Sequence, residues 1–147
     1  MEKENSEYNI AHGERDNHPY FFIFRKGFAK FPQKENYPWL LEIKIYFEAN
    51  ESGLVDGEEG DILNKFEDIL DQKNKENPPT YFVGRITWNG IRTLLYYVID
   101  PKATADLLDN IIETGQYPRE FEFKIEKDQE WKGVSKIIPN ADAFPDS

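Results

Sequence analysis

Residues 80–100 read TYFVGRITWNGIRTLLYYVID, and this stretch decides the fold. Two runs rich in β-branched and aromatic residues flank Asn89-Gly90, the dipeptide that best tolerates the positive φ angles of a two-residue type I′ turn. We therefore predict a β-hairpin whose register is set by this turn. The predicted pairs are Trp88–Ile91, Thr87–Arg92, Ile86–Thr93, Arg85–Leu94, Gly84–Leu95, Val83–Tyr96, Phe82–Tyr97 and Tyr81–Val98.

Side chains alternate between the two faces of a strand, so this register sorts the hairpin into an apolar face and a mixed face. The mixed face carries two arginines, two tyrosines and a threonine. We expect the apolar face to pack against helices and the mixed face to be the open surface of the sheet.

A second strand and a helix precede the hairpin. Residues 38–49, PWLLEIKIYFEA, alternate cleanly, with Leu41, Ile43, Ile45 and Phe47 on one side. Residues 61–75 place Ile62, Leu63, Phe66, Ile69 and Leu70 at helical spacing and predict Lys65, Glu67, Asp68 and Asp71 outside. Asn77-Pro78-Pro79 ends this helix.

A second helix and a last strand follow the hairpin. Asp100 is typical of an N-cap and Pro101 of a first helical position, and Gly115 ends the helical pattern. Residues 121–126, FEFKIE, alternate again and predict a strand.

The element order predicts the fold class. Strand, helix, strand, strand, helix, strand is the order of an α+β, ferredoxin-like split βαβ sandwich, with an antiparallel sheet and two helices on one face. A short aromatic run at 20–25 predicts an extra N-terminal strand, which either extends an edge or crosses the open face. We expect a flexible segment at 1–18, a single domain at 19–139 and a tail at 140–147.

Composition excludes several functional classes. The 147 residues contain no cysteine, which rules out disulfides, thiolate metal sites and a cysteine nucleophile. The formal charge of -10 argues against nucleic acid as a partner. No apolar run approaches the ~20 residues that cross a bilayer, and the first residues lack a signal-peptide pattern. We therefore expect a cytoplasmic protein with no membrane contact.

Candidates for catalysis and metal binding are weak. His12 and His18 are the only histidines and share no ligand spacing. The loop with Asp56, Glu58, Glu59 and Asp61 lacks the order of a calcium loop. We predict no metal, no cofactor and no catalytic residue. A hydrolase using this acidic loop of residues 56–61 stays the least favoured alternative.

The best binding candidates lie on the predicted open face. They are Arg85, Arg92, Tyr46, Tyr81 and Tyr96, the residue types that bind anions and stack on flat ligands. The alternative is that both arginines form ion pairs with glutamates of neighbouring strands such as Glu42, Glu48 or Glu122. RNA binding is disfavoured because the chain is acidic and lacks the aromatic RNP pattern.

The span from Trp39 to Pro139 resembles the bacterial domain-of-unknown-function family 695 (DUF-695). The resemblance rests on a G-R-x-T-x-x-G-x-R hairpin, an aromatic-Y-V-x-D strand, and an acidic residue, a tryptophan and a proline near the end. These positions are Gly84, Arg85, Thr87, Gly90, Arg92, Tyr97, Asp100, Asp128, Trp131 and Pro139. Gly133 departs from the pattern, which tends to have a tyrosine there.

The resemblance implies a ferredoxin-like α+β unit with no assigned enzymatic activity. Such domains are sometimes joined to one similar to the regulator of ribonuclease E activity, which acts by binding. Gly84, Gly90, Asp100, Asp128 and Trp131 are predicted to be structural, with Trp131 as a lid on the core. We predict a non-catalytic binding or regulatory module that contacts another protein, with an anion- or small-molecule-binding sheet face as the alternative.

Overall fold

Within the residues that the computed structural model describes, 8–76, 79–115 and 117–134, the chain forms six strands and two α-helices. In chain order these are β1 (Tyr8–Arg15), β2 (His18–Arg25), β3 (Trp39–Tyr46), α1 (Gly57–Glu76), β4 (Thr80–Trp88), β5 (Ile91–Val98), α2 (Pro101–Thr114) and β6 (Phe121–Lys127). Two 3-10 turns, Phe28–Lys30 and Lys34–Asn36, join β2 to β3. Pro139 and the predicted tail at 140–147 lie outside the described residues.

One antiparallel sheet contains all these strands, in the order β1-β2-β4-β5-β3-β6. The predicted α+β class is confirmed. No helix among the described residues is long and apolar enough to span a membrane.

Both helices pack on the same face of the sheet. Leu63, Phe66 and Leu70 of α1 and Leu108 of α2 are buried against side chains from β3, β4, β5 and β6. On β3 these are Leu41, Ile43 and Ile45, the side that the alternation predicted. Burial of such side chains contributes roughly 1.5–3 kcal/mol each.

The opposite face of the sheet is also covered, although we expected it to be open. Phe22 and Phe24 of β2 and Tyr97 of β5 pack there with Phe28 from the β2–β3 connection. Trp131 and Val134, which follow β6, complete this aromatic layer. The sheet therefore has a core on each side.

The two faces of the central hairpin are the reverse of our prediction. In the β3–β5 register Leu41 lies opposite Tyr96 and Ile45 opposite Arg92. Directly paired residues share a face of the sheet, so Tyr96 and Arg92 lie under the helices with the apolar side of β3. The prediction was wrong because the turn sets pairing within the hairpin but not which of its faces meets α1.

A β-bulge also changes the predicted register. The pairs from Trp88–Ile91 to Gly84–Leu95 are confirmed, and Asn89 and Gly90 have the positive φ angles of 48° and 80° that the turn requires. Beyond Gly84 the register shifts, so that Phe82 pairs with Tyr96 and Tyr81 with Tyr97. The extra residue moves Tyr81 to the aromatic layer opposite the helices.

The N-terminal residues form more structure than the sequence indicated. Tyr8–Arg15 forms the edge strand β1, joined to β2 by Asp16-Asn17, which have φ angles of 52° and 66°. The expectation of a flexible segment is therefore wrong for residues 8–18. The predicted strand at 20–25 lies within β2, which pairs with β4 and extends the sheet rather than crossing its face.

The helices begin close to their predicted starts. α2 has the predicted cap, since Asp100 Oδ1 accepts a hydrogen bond from the Ala103 N–H at 3.1 Å and Pro101 is its first residue. α1 begins at Gly57, earlier than the predicted Asp61, so the acidic residues of the loop form its first turns.

We predict that Gly84→Ala destabilises the protein by more than about 2 kcal/mol, because overpacking at a rigid contact is costly. A Cβ at Gly84 would lie 2.4 Å from the Ile23 carbonyl oxygen and 3.0 Å from the Phe24 Cα, both backbone atoms of β2. Chemical denaturation measures the change. Gly60→Ala is the matched control, because a Cβ there meets nothing within 4 Å. Equal stabilities for the two variants would contradict the close β2–β4 contact.

Candidate functional site

A charged network is buried between α1 and the sheet. The side chain of Glu67 is inaccessible to solvent, and Arg85 and Arg92 are 9% and 5% exposed. Glu67 Oε1 accepts hydrogen bonds from Arg85 Nη1 at 3.1 Å and from Arg92 Nη1 at 3.4 Å. One carboxylate therefore links the helix to both strands of the central hairpin.

Arg92 is also held by neutral groups. Its Nη1 donates to Asn64 Oδ1 at 3.0 Å, and its Nε donates to Thr87 Oγ1 at 3.2 Å. Since Thr87 lies directly opposite Arg92 in the hairpin, the guanidinium bridges the sheet and α1. Buried charges are retained only when they are paired and hydrogen-bonded in this way.

A second polar contact extends the network along α1. The Tyr96 hydroxyl donates to Asp71 Oδ1 at 3.0 Å, and Asp71 also pairs with Lys75 at 3.3 Å. Burial, reinforced by the negative charge of Asp71, raises the pKa of Tyr96 well above its usual value. Tyr96 therefore acts as a neutral hydrogen-bond donor to the helix.

The inward face of α1 is more polar than we predicted. Glu67, Asp71 and Asn74 are all buried, whereas Glu67 and Asp71 were expected outside and Ile69 inside. Ile69 is exposed instead. The prediction was wrong because carboxylates usually face water, and their arginine and tyrosine partners lie on strands beyond the helix sequence.

The five predicted binding residues do not form one open face. Arg85, Arg92 and Tyr96 lie beneath α1. Tyr81 lies in the aromatic layer on the other side of the sheet, its ring 4.1 Å from that of Phe31.

Tyr46 lies apart from these four residues. It is exposed near the end of β3 and donates a hydrogen bond to Glu122, and this bond raises the pKa of the Tyr46 hydroxyl. Both arginines are ion-paired, as the structural alternative held, but their partner Glu67 comes from α1 rather than from a neighbouring strand.

A surface beside α1 is left uncovered by the helices. The buried residues beneath the helices come from β3, β4, β5 and β6, whereas β1 and β2 continue the sheet beyond them. On this strip Ile10 is 58% exposed and Phe21 is 43% exposed. We call the helix-side surface of Tyr8–Arg15 and His18–Arg25 the β1–β2 strip.

The β1–β2 strip contains a groove that reaches the buried network. The groove has a volume of about 330 Å³. It is lined by Ile10, Phe21, Ile23, Leu54, Val55, Arg85, Thr87 and Arg92. The pairs Ile10–Ile23 and Ile23–Arg85 form one continuous row across the sheet, so the apolar floor leads directly to the ion pairs. Only the exposed apolar residues on β1 and β2 could have indicated this site, and β1 was not predicted.

The acidic loop is used for structure. Glu59 accepts two hydrogen bonds from the Arg119 guanidinium, one of them from Nε at 2.7 Å. It also accepts from the Glu48 N–H at 3.0 Å. The bonds from Arg119, more than the other contacts, lower the pKa of Glu59 to about 2. Glu59 thus ties the start of α1 to the residues that precede β6 and follow β3.

The histidines and carboxylates of the described residues form no metal centre. No group of three or more His, Asp or Glu side chains there is placed to hold a metal ion. His12 and His18 lie on β1 and β2, with the His12 ring 6.0 Å from Phe21 and the His18 ring 6.4 Å from Trp88.

Trp131, which the sequence predicted as a lid on the core, lies in the aromatic layer on the sheet face opposite the helices. Its ring stacks on Tyr97 with centroids 3.9 Å apart and planes at 3°, and its N–H donates to the Tyr37 carbonyl at 2.9 Å. Its φ of 58° is rare for a bulky residue, and the ring contacts offset the strain.

Asp128 holds the turn that positions Trp131. Its carboxylate accepts from the Tyr97 hydroxyl at 2.6 Å and from the N–H groups of Lys132 and Gly133 at 2.9 and 2.8 Å. Burial and this carboxylate raise the pKa of Tyr97. A Cβ at Gly133 would lie 2.6 Å from Leu40 Cδ2, so the chain is tightly packed at this position.

A family model described as "Family of unknown function (DUF695)" matches residues 7–135. A search of curated proteins found no match.

We predict that Glu67→Gln destabilises the fold by about 3–5 kcal/mol, because both buried guanidinium groups lose the negative charge that they share. Glu130→Gln is the control, since Glu130 forms an exposed ion pair with Lys132 and its loss costs less than about 1 kcal/mol. Urea denaturation followed by circular dichroism compares the two. A Glu67→Gln variant as stable as Glu130→Gln would show that the network contributes little.

We also predict an acid-dependent loss of stability through Glu59. Its pKa is about 2 in the folded protein and 4.5 in its ordinary state. The ionised form therefore stabilises the fold above about pH 4.5, and this contribution is lost as the pH falls from 4.5 towards 2. Glu59→Gln should flatten the pH dependence of the unfolding free energy across this window. Glu58→Gln, at an exposed neighbour, should leave it unchanged, and equal curves for the two variants would contradict the role of Arg119.

Proposed function

Since the chain belongs to the DUF695 family, whose function is unknown, we propose from its own surface that it is a non-catalytic binding or regulatory module that acts through contact with another protein. The β1–β2 strip is the proposed contact surface. The observation that carries the proposal is the pair of exposed apolar side chains, Ile10 and Phe21, beside a groove of about 330 Å³. Contiguous exposed apolar surface on a protein marks an interaction site.

The character of the groove supports protein contact over anion binding. Arg85 and Arg92 line it, but both already hydrogen-bond to Glu67, so an anion would have to compete with a buried carboxylate. The floor and the opposite wall are apolar, from Ile23, Leu54 and Val55. A small apolar molecule is the alternative occupant, since the volume lies within the range of ligand pockets, about 300–1,000 Å³.

The hydrolase alternative has less support. Glu59 is engaged by Arg119 and by the Glu48 N–H, and Asp56 accepts a hydrogen bond from the Asn50 side chain at 3.2 Å. These carboxylates hold the loop together rather than meeting other polar groups in a cleft. A pKa lowered to about 2 also makes Glu59 a poor proton acceptor at neutral pH.

The proposal includes a finer description of the fold. The order β4-β5-β3-β6, with α1 following β3 and α2 following β5, supports a ferredoxin-like split βαβ unit to which the β1–β2 hairpin has been added. A cytoplasmic location is part of the same proposal. The complete lack of cysteine is compatible with a reducing compartment.

Capture from lysate with matched variants tests the proposal. Phe21→Glu and Ile10→Glu each place a charge on the strip, whereas Ile69→Glu changes an exposed apolar residue of α1 and serves as the control. Any captured protein is identified by mass spectrometry, purified and titrated against each variant. We expect both strip variants, checked for folding by thermal denaturation, to bind at least about tenfold more weakly, and Ile69→Glu to bind like the wild type.

Two outcomes would count against protein contact at the strip. A purified partner that binds all variants equally would place the contact elsewhere. A co-purifying small molecule that is lost with Phe21→Glu, in the absence of a protein partner, would favour the small-molecule alternative.

A further inference from the structure

We infer that the occupant of the β1–β2 strip is a cationic amphipathic α-helix of a partner protein, lying beside α1 as a third helix of the same layer. This inference rests on the proposed function and names the chemistry of the partner. The dimensions of the strip, its apolar floor and the charge of the flank that borders it carry the argument.

The dimensions of the strip match one helix. Two strands, at about 4.8 Å each, make a surface roughly 10 Å wide, and an α-helix with its side chains is about 10–12 Å across. β1 and β2 have 8 residues each. At ~3.3 Å per residue such strands are about 26 Å long, the length of a helix of about 17 residues.

The floor of the strip is suited to the apolar stripe of such a helix. Ile10, Phe21 and Ile23 share the helix side of the sheet, because Ile10 lies opposite Ile23 and Ile23 lies opposite Arg85, whose side chain reaches α1. α1 and α2 pack on the same face of the sheet through leucine and phenylalanine side chains. A third helix would bury Ile10 and Phe21 in the same manner.

The flank of α1 that borders the strip is acidic. Asn64 lies on the side of α1 next to the groove, because it accepts a hydrogen bond from Arg92, one of the residues that line the groove. Residues three or four apart lie on one side of a helix, so Asp61 and Asp68 share this flank with Asn64. One carboxylate oxygen of Asp68 is shielded from solvent and has no hydrogen-bond partner in the described part of the chain.

The charges on and beneath α1 favour a partner with positively charged side chains. The negative charge of Glu67 is balanced by Arg85 and Arg92 beneath the helix, and that of Asp71 is balanced by Lys75. The more exposed Asp61 and Asp68 remain to attract lysine or arginine side chains on the facing side of the partner. The formal charge of -10 acts in the same direction over longer distances.

Two other occupants fit the strip less well. A second copy of this chain would carry the same charge of -10, and the two acidic surfaces would repel each other. An extended strand that pairs with the edge strand β1 would leave the ring of Phe21 uncovered, because Phe21 lies on β2, the next strand inward.

A designed peptide tests the inference on the full-length protein. The probe has about 18 residues, with a leucine stripe and lysines on both flanks, and carries a fluorescent label. Three comparison peptides are used: the same helix with glutamate in place of lysine, a lysine–leucine peptide with strict strand alternation, and a scrambled sequence. Fluorescence anisotropy measures binding, and amide chemical-shift changes locate it.

We expect the cationic helix to bind more tightly than all three comparison peptides and to shift amides of β1, β2 and α1. Phe21→Glu should weaken its binding at least about tenfold, and Ile69→Glu should not. Asp61→Asn combined with Asp68→Asn should weaken it by about three- to tenfold, an effect that disappears at high salt.

Other results would overturn the inference. Tighter binding of the glutamate helix would contradict the inferred positive charge of the partner. Tighter binding of the alternating peptide at β1 would contradict its inferred helical structure. Dimerisation that masks the strip would identify a second copy of this chain as the occupant. If no peptide binds while a captured partner still depends on Phe21, the helix assignment fails and the binding function stands. If the binding of no partner depends on Phe21 or Ile10, both the helix assignment and the proposed binding function fail.

Discussion

The buried carboxylate of Glu67 constrains how the rest of the structure is arranged. A charge with no access to water has to be neutralised where it lies, and Arg85 and Arg92 do so from two adjacent strands. This requires the arginine side of the central hairpin to face α1. The apolar side is then turned the other way, where it needs a cover of its own. Removing one member of the network would leave the others buried without a counter-charge. The network therefore holds the helix at one place on the sheet.

The cover on the second face is aromatic and comes from chain segments outside the regular elements. Phe31 precedes β3 and Trp131 follows β6; their rings lie 6.0 Å apart, and the Trp131 ring stacks on that of Tyr97. Asp128 contributes the polar part of this arrangement, because it receives the Tyr97 hydroxyl and two backbone N–H groups. With both faces of the inner strands occupied, β1 and β2 present apolar side chains on a helix-side surface that the described residues leave uncovered. The same packing that stabilises the centre of the sheet therefore defines its proposed binding surface.

Local chemistry made several elements predictable from the sequence. Asn89-Gly90 set the turn and the first pairs of the hairpin, and Asp100-Pro101 set the start of α2, because each signal acts within a few residues. The alternation of β3 identified the side that meets the helices. The bulge near Val83 was missed, although Gly84 beside it is the kind of residue that often marks a bulge inside a strand. The strand β1 was missed because its residues are polar and their alternation is weak.

The sequence by itself determined the α+β class, the order of the helices and strands from β2 to β6, and an acidic, cysteine-free chain, since these follow from local spacing and composition. Only the tertiary structure decided which face of the hairpin meets α1, and with it the burial of Arg85, Arg92 and Tyr96 beneath the helix. The physical reason is that Glu67 and Arg85 are 18 positions apart, and a helix sequence that contains a glutamate does not show whether its partner is water or a buried guanidinium. The location of the strip also depends on which face of the hairpin meets α1, because the strip begins where the helices no longer cover the sheet.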